Sequence, residues 1–387
     1  MRLADLVKGL VRVWRLYVIP GGVFQSLMIG GGYGTGREIV EYFSRYGFVG
    51  GLLGLVLVTS CFAILLAISY EFARLYRAYD YRRFFRALLG RGWVAFELVY
   101  VVMLAMVLAV IAAASGSLAQ EYLHLPRASG IATLLLTVVL FAFHGRNWVT
   151  RILAYKALIL CAVFLVYFLL VVHQSSDRII AQFMNREIVP GWATGAMRYS
   201  LYASVVIPTM LFATVAIETR RQAFASGTAS AIAGILPAVL LHVSFGAGYP
   251  EVVTQAIPTY WMIASLKMPV LTVAYIVVLF GSLFDVGIGF IQSVNERVDG
   301  WSMEHRGRKV DRQTRAGIAF LCVLASGGLS LVGIVPLIAQ GYSTMAYAFL
   351  LLFVGPLLSK GVYRLACAPR AARTPQDASL VPPNLDT

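Results

Sequence analysis

Charge is scarce in this chain, and acid is scarcer still. Of 387 residues only 13% are charged, and the 18 acids are outnumbered by 32 lysines and arginines. A soluble domain carries roughly a quarter charged residues, so an ordinary water-facing surface is excluded. Cysteine is equally sparse: Cys61, Cys161 and Cys322 fall inside apolar runs, and Cys367 lies in the C-terminal tail. None has metal-ligand spacing or a partner in an external loop, which excludes a disulfide framework and a zinc site. The chain also lacks the G-x-x-x-x-G-K-[ST] phosphate loop and the H-E-x-x-H motif. No nucleotide-driven engine is encoded, no enzyme active site is expected, and no organic cofactor is called for. The N-terminal stretch has no short apolar core followed by a small-residue cleavage site, so no signal cleavage is expected.

What is present is apolar. Hydrophobic residues make up 59% of the chain and the mean hydropathy is +0.77. Runs long enough to cross roughly 30 Å of hydrocarbon recur near 14–44, 48–70, 92–119, 129–144, 148–173, 192–218, 228–248, 269–294, 314–335 and 338–362. The expected fold is therefore an all-α integral membrane domain over residues 1–362 with about ten spans, followed by a disordered tail over 363–387. The net charge of +14 does not point to nucleic acid. Arg74, Arg77, Arg82, Arg83, Arg86 and Arg91 lie between the second and third runs, and Arg297, Arg306, Arg308, Lys309, Arg312 and Arg315 between the eighth and ninth. The alternate connections are poor in positive charge. That asymmetry places both termini in the cytoplasm, with the lipid bilayer and its headgroups as the partner of the basic excess. The oligomeric state is left open.

Two connections carry structure of their own. Tyr81-Arg82-Arg83-Phe84-Phe85-Arg86-Ala87-Leu88-Leu89 mixes cations and bulky apolar groups at helical spacing, as an interfacial helix does. The stretch from Glu251 to Met268 is long for a plain turn. It reads either as a lid over an outer vestibule or as an aromatic belt.

The first run is interrupted by Gly30-Gly31-Gly32-Tyr33-Gly34-Thr35-Gly36. Each glycine costs a helix about 1 kcal/mol relative to alanine, and freed backbone groups find no water in hydrocarbon. Such a break persists where it lines a cavity or meets a ligand. The sixth run is interrupted near Ser204–Thr214 by Pro208. Breaks five spans apart divide the chain into halves near 10–173 and 190–362. An odd number of spans in each half inverts the second relative to the first, and paired breaks in inverted halves mark the binding site of a secondary transporter.

The chemistry of that site follows from the residues. A helix restarting after Gly36 points unpaired N–H groups at the gap, so the backbone of Gly34, Thr35 and Gly36 is suited to an anionic head. The carbonyls from Gly30 to Gly32, beside Tyr33, are suited to a cation or an ammonium. The sixth run offers Ser204, Thr209 and Thr214, with Pro208, Met210 and Phe212 shaping the pocket. The competing reading makes the glycines a packing surface only. Arg37, Glu38 and Glu41 open the second half-helix, either gating the outer mouth and touching substrate or forming an exposed charge cluster. Asp285 lies deep in the eighth run, three residues after Ser282. A lipid-facing acid there costs at least about 2.5–3.5 kcal/mol, so Asp285 faces a cavity, a partner or an ion, or is capped as a packing residue. Glu97 is a further acid to place.

The residues from Gly30 to Ile39 resemble the G-x-G-[FY]-[AG]-[ST]-G-x-E-[IL] signature of YkvI-like bacterial membrane proteins, within the amino acid–polyamine–cation superfamily. The stretch from Gly287 to Arg297 is also similar to the end of the eighth span in that group. The resemblance implies the LeuT-type 5+5 inverted repeat with broken helices 1 and 6, and alternating access around a site between spans 1, 3, 6 and 8. It implies coupling to sodium near Gly30, Ser282 and Asp285, or to a proton on Asp285. The chain lacks the adjacent Thr-Ser pair of sodium-coupled members at this depth. Lys156, two turns into the fifth run, stands where some proton-coupled relatives place a lysine; its stem also reaches the headgroup level. The functional expectation is an ion-coupled symporter or permease of a small organic solute, an amino acid or amine, in the cytoplasmic membrane. The alternative is a membrane sensor that keeps the pocket without turnover.

Overall fold

The computed structural model describes residues 9–144, 146–306 and 310–367. No strand occurs among them. The first apolar run is four short pieces: a π-turn over Trp14–Val18, helix α1 (Ile19–Met28), a second π-turn over Ile29–Tyr33, and α2 (Arg37–Tyr42). There follow α3 (Phe48–Tyr76), the short α4 (Tyr81–Leu89), α5 (Trp93–Leu123), α6 (Arg127–His144) and α7 (Arg146–Asn185). The sixth run is α8 (Trp192–Ala203) continued by a 3-10 stretch over Ser204–Thr214. Then come α9 (Arg220–Phe245), α10 (Pro258–Ser265), α11 (Pro269–Arg306) and α12 (Arg312–Ser330). The last helix, α13, covers Ile334–Cys367. It carries the chain past residue 362, where the sequence suggested that order ends; residues 368–387 lie outside the described part.

Local chemistry sets these boundaries. Asp80 accepts the Arg83 amide at 2.9 Å and starts α4. Thr219 and Gln222 form a reciprocal capping box at the start of α9. Asp311 caps α12 through the Thr314 amide at 3.1 Å, and the Thr314 hydroxyl and amide together hold its carboxyl below the usual range. Pro258 opens α10, where its missing N–H costs nothing.

Among the described residues six helices are long and apolar enough to cross a membrane. Their outward faces are not polar: Val56, Leu98, Val277 and Leu351 are between 65% and 74% exposed. A water-soluble helix would hide such a stripe; here lipid tails are the natural solvent for it. The α4 helix is the exception and is amphipathic as expected. Phe84, Phe85 and Leu88 turn inward, Phe85 stacks on Phe96, and Arg86 lies over the Trp93 ring at 4.9 Å.

Packing divides the helices into two groups. In the first, α3 lies along α9, and α1 packs on α9 and on the Ser204–Thr214 stretch. Buried hydroxyls tie it together: Ser226 donates to the Leu16 carbonyl at 2.6 Å and Tyr70 to Ser230 at 3.1 Å. In the second, α5 packs against α6, α11 and α12. There Ser115 donates to the Gly130 carbonyl at 2.9 Å and Ser326 to the Ala105 carbonyl at 3.1 Å. Both interrupted runs belong to the first group and face the second.

Candidate functional site

The break in the first run is a built structure. After the π-turn the chain passes through Gly36 at φ +77°, a left-handed conformation that favours glycine. A Cβ at Gly36 would also strike Thr259 of α10 and Phe245 of α9. The Thr35 hydroxyl donates to the Gly32 carbonyl at 3.0 Å and accepts the Arg37 amide at 3.3 Å. Tyr275 of α11 donates to the Gly34 carbonyl at 2.8 Å. Three helices thus hold the interruption in place, and the Gly36 amide, one of the donors that the sequence pattern offered to a ligand, is taken by the Tyr33 carbonyl at 3.0 Å.

Glu38, in the first turn of α2, folds its carboxylate back over the break. A Cβ on Gly32 would coincide with the Glu38 carboxylate, so only glycine leaves room for it. Tyr202 donates to Glu38 Oε2 at 2.7 Å. Around this pair stand further tyrosines. Tyr199 packs edge-on against Tyr202 with centroids 5.3 Å apart, and Tyr342 lies 4.8 Å from Tyr202. Tyr199 donates to the hydroxyl of Tyr33, and Tyr42 donates to the Ile338 carbonyl at 2.9 Å. Glu38 also lies in the first turn of α2, where an acid complements the helix dipole.

A cavity of about 620 Å³ begins at Gly32 and Glu38. Its walls come from the first run, from α5 (Tyr100 to Ile111), from the sixth run (Tyr199 to Phe212) and from α11 (Val286 to Arg297), with Tyr342 of α13. It lies at the seam between the two packing groups. At its far end it reaches Tyr79, Tyr81 and the exposed Asp80. Arg297 stands at this mouth. Its Nε lies 2.7 Å from Glu97 Oε1, and its guanidinium sits over Tyr100 at 4.3 Å and Tyr81 at 4.7 Å.

The opposite side is clasped shut. Arg37 is buried and donates to the carbonyls of Val253 and Gln255 at 2.9 and 3.0 Å. Its other nitrogen pairs with Glu41 at 2.8 Å, and Arg45 also pairs with Glu41. The segment from Glu251 to Ser265 lies over the break, the arrangement of a lid; the exposed-cluster reading of Arg37, Glu38 and Glu41 is overturned, since all three are buried.

Of the residues singled out from sequence, Gly32, Glu38, Pro208, Thr209 and Phe212 line the cavity. Tyr33, Gly34, Thr35 and Gly36 build the wall behind it. Ser204 and Met210 are buried elsewhere: Ser204 bonds back to Leu201 at 2.6 Å, and the Met210 sulfur lies 3.8 Å from the Tyr70 hydroxyl. Ser282 is spent on the Val278 carbonyl of its own helix at 2.9 Å. Gly30, Lys156 and Asp285 fall in helices, but their surroundings lie outside the described residues. Among the described residues no cluster of histidine, cysteine and acid side chains forms a metal site. Tyr199, Tyr202 and Tyr342 carry no conspicuous mark in the sequence. The signal available was the Tyr199-x-x-Tyr202 spacing, one helical turn that ends two residues before the sixth-run break.

No family model and no curated protein sequence matches the chain. Its fold is similar to that of a Na+-coupled sialic acid symporter solved in a substrate-bound outward-open state. The TM-score is 0.60 at 11% identity, covering 88% of this chain and 79% of that one. It is also similar to a variant of the Eremococcus coleocola manganese transporter, with a TM-score of 0.51 at 13% identity over 95% of this chain and 90% of that one. At these identities the likeness is one of fold. Together with helices of spanning length, it makes this an integral membrane protein whose structural neighbours are transporters and not enzymes.

Proposed function

We propose that the chain is an ion-coupled secondary transporter of a small organic solute, amino-acid or amine-like, working by alternating access. The observation that carries this reading is the cavity at the seam, walled by both interrupted runs and by α5 and α11. Paired interruptions of this kind are how transporters present backbone and side chains to a solute at mid-membrane. The packing pattern supports a 5+5 inverted repeat: the first two runs of each half associate, and the third and fourth runs of each half associate. The resemblance of the first run to YkvI-like members of the amino acid–polyamine–cation superfamily agrees with it.

In this reading the cavity is open on the arginine-rich side, which the positive-inside rule assigns to the cytoplasm. The Arg37–Glu41–Val253 clasp closes the outer side. Rocking one packing group against the other would part the clasp and seal the mouth at Arg297 and Glu97. Sodium and proton both remain as coupling ions, with Ser282, Asp285 and Lys156 as the residues to test. That a fold neighbour is Na+-coupled supports trying sodium first.

Reconstituted proteoliposomes loaded with a mixture of amino acids and amines should exchange at least one of them against external label. A sodium gradient or a pH gradient should drive its accumulation, and the matching ionophore should collapse it. Saturable binding with no exchange under either gradient would replace transport by sensing.

A further inference from the structure

We infer that the cavity takes an organic monocation, an ammonium group on an apolar body, with Glu38 as its counter-charge and the tyrosines as its walls. The inference rests on the transporter reading of the same cavity and narrows it.

Charge comes first. Among the described residues three charged side chains line the cavity: Glu38 at the closed end, and Asp80 and Arg297 at the mouth. Asp80 is committed to the start of α4 and to Arg83, 3.3 Å away. Arg297 is committed to Glu97. Among the described residues no cation pairs with Glu38. A solute carrying a carboxylate would meet Glu38 at the closed end and find no lysine, arginine or histidine there among the described residues. At the helix restart the Gly36 amide is taken by the Tyr33 carbonyl and the Arg37 amide by the Thr35 hydroxyl. A zwitterion is therefore opposed where a simple cation is attracted.

The walls point the same way. Tyr199, Tyr202 and Tyr342 line the cavity together with Glu38, and a cation within about 6 Å of a tyrosine face is attracted by the ring quadrupole. The hydroxyls of Tyr199 and Tyr202 are already donating, to Tyr33 and to Glu38. An inorganic ion needs several converging oxygens or soft ligands. Here the Gly32 carbonyl is taken by Thr35, and among the described residues no metal-ligating cluster exists. One carboxylate among aromatic rings suits a charge spread over alkyl groups. About 620 Å³ falls in the usual range for small-molecule sites.

The test uses the full chain in lipid nanodiscs and reads thermal stabilisation, since a ligand of the folded state raises the midpoint. Two matched series are titrated. One is choline, its uncharged isostere 3,3-dimethylbutan-1-ol and glycine betaine; the other is phenethylamine, phenethyl alcohol and phenylalanine. Sodium chloride and manganese chloride alone form the inorganic arm. At least one cation should bind, with its uncharged and carboxylated counterparts at least about tenfold weaker, a difference well above titration error. Glu38→Gln should erase that preference. Tyr202→Phe should weaken the cation severalfold while keeping the order within the series, which preserves the test if Glu38→Gln folds poorly. Carboxylated members binding as tightly as the cations, stabilisation by inorganic ions alone, or no stabilisation by any member would each overturn the assignment. Counterflow in proteoliposomes separates the two readings. Cations that bind without exchanging remove transport and leave the ligand class standing, whereas exchanging zwitterions do the reverse.

Discussion

Tyr202 and Glu38 stand 164 residues apart in the chain and 2.7 Å apart in the fold. One comes from the sixth run and the other from the restart of the first. Their bond joins the two interrupted segments directly, and both residues lie in the cavity wall. Removing the hydroxyl by Tyr202→Phe leaves a buried carboxylate oxygen without its donor, at a cost of about 1–3 kcal/mol. The ligand-free protein should melt measurably lower than wild type. An unchanged midpoint would mean that water replaces the hydroxyl at no cost.

Gly36→Ala should be among the most damaging single-methyl changes in the chain. It forces a Cβ into the left-handed region and against Thr259 and Phe245, and strain of this kind costs on the order of 1–3 kcal/mol. Gly22→Ala in α1 is the control, because a Cβ there meets nothing within 4 Å and helix propensity favours alanine. Thermal midpoints that move together for the two variants would contradict a strained, tightly packed break.

Gly32→Ala is expected to act differently, by displacing Glu38 from its slot. Stability should fall modestly while ligand affinity falls by an order of magnitude or more, about 1.4 kcal/mol per tenfold. A binding isotherm that matches wild type would show that the carboxylate sits elsewhere when ligand is bound.

At the mouth, Arg297→Ala strands Glu97 in a half-buried site. The pair is partly shielded, with side-chain exposures of 11% and 18%, so the loss should be on the order of 2 kcal/mol. The double replacement Arg297→Ala with Glu97→Ala should cost less than the sum of the singles, the mark of direct coupling. Additive costs in a denaturation series would rule the pair out as a unit.

The clasp predicts an accessibility change. With the native cysteines replaced, Val253→Cys should react slowly with an impermeant thiol reagent in the wild-type background and several times faster with Arg37→Gln added, as the lid loses the donor that holds it. The same reagent tests the membrane orientation: Glu251→Cys should be modified from outside intact cells, and Arg83→Cys only after permeabilisation. Modification of Arg83→Cys from outside would invert the topology.

The break at Gly30–Gly36 was legible in the sequence because five glycines in seven residues work against a continuous helix in lipid. The Tyr81–Leu89 helix was legible because its cations and bulky apolar groups recur at helical spacing. The direction of Glu38 was not. A charge at a half-helix start reads equally as exposed or inward, and the choice depends on Tyr202, which is distant in the chain. Ser204 and Met210 turn away from the cavity for a related reason. A 3-10 stretch turns its side chains at a different angle from an α-helix, so position along the run did not give the face. Tyrosine was hard to read for the opposite reason. Twenty are present, and composition alone does not separate those lining a cavity from those packed in the core.

The grip of Arg37 on the lid goes through the carbonyl oxygens of Val253 and Gln255 and no side chain of either. Closure on that side is consequently indifferent to which residues occupy 253 and 255. It depends instead on how many residues separate them from α9 and α10. Homologues should therefore vary at 253 and 255 while keeping the lid's length and its buried Val252, Ile257, Thr259 and Ile263, and a one-residue insertion there should disable closure where substitutions at 253 and 255 would not.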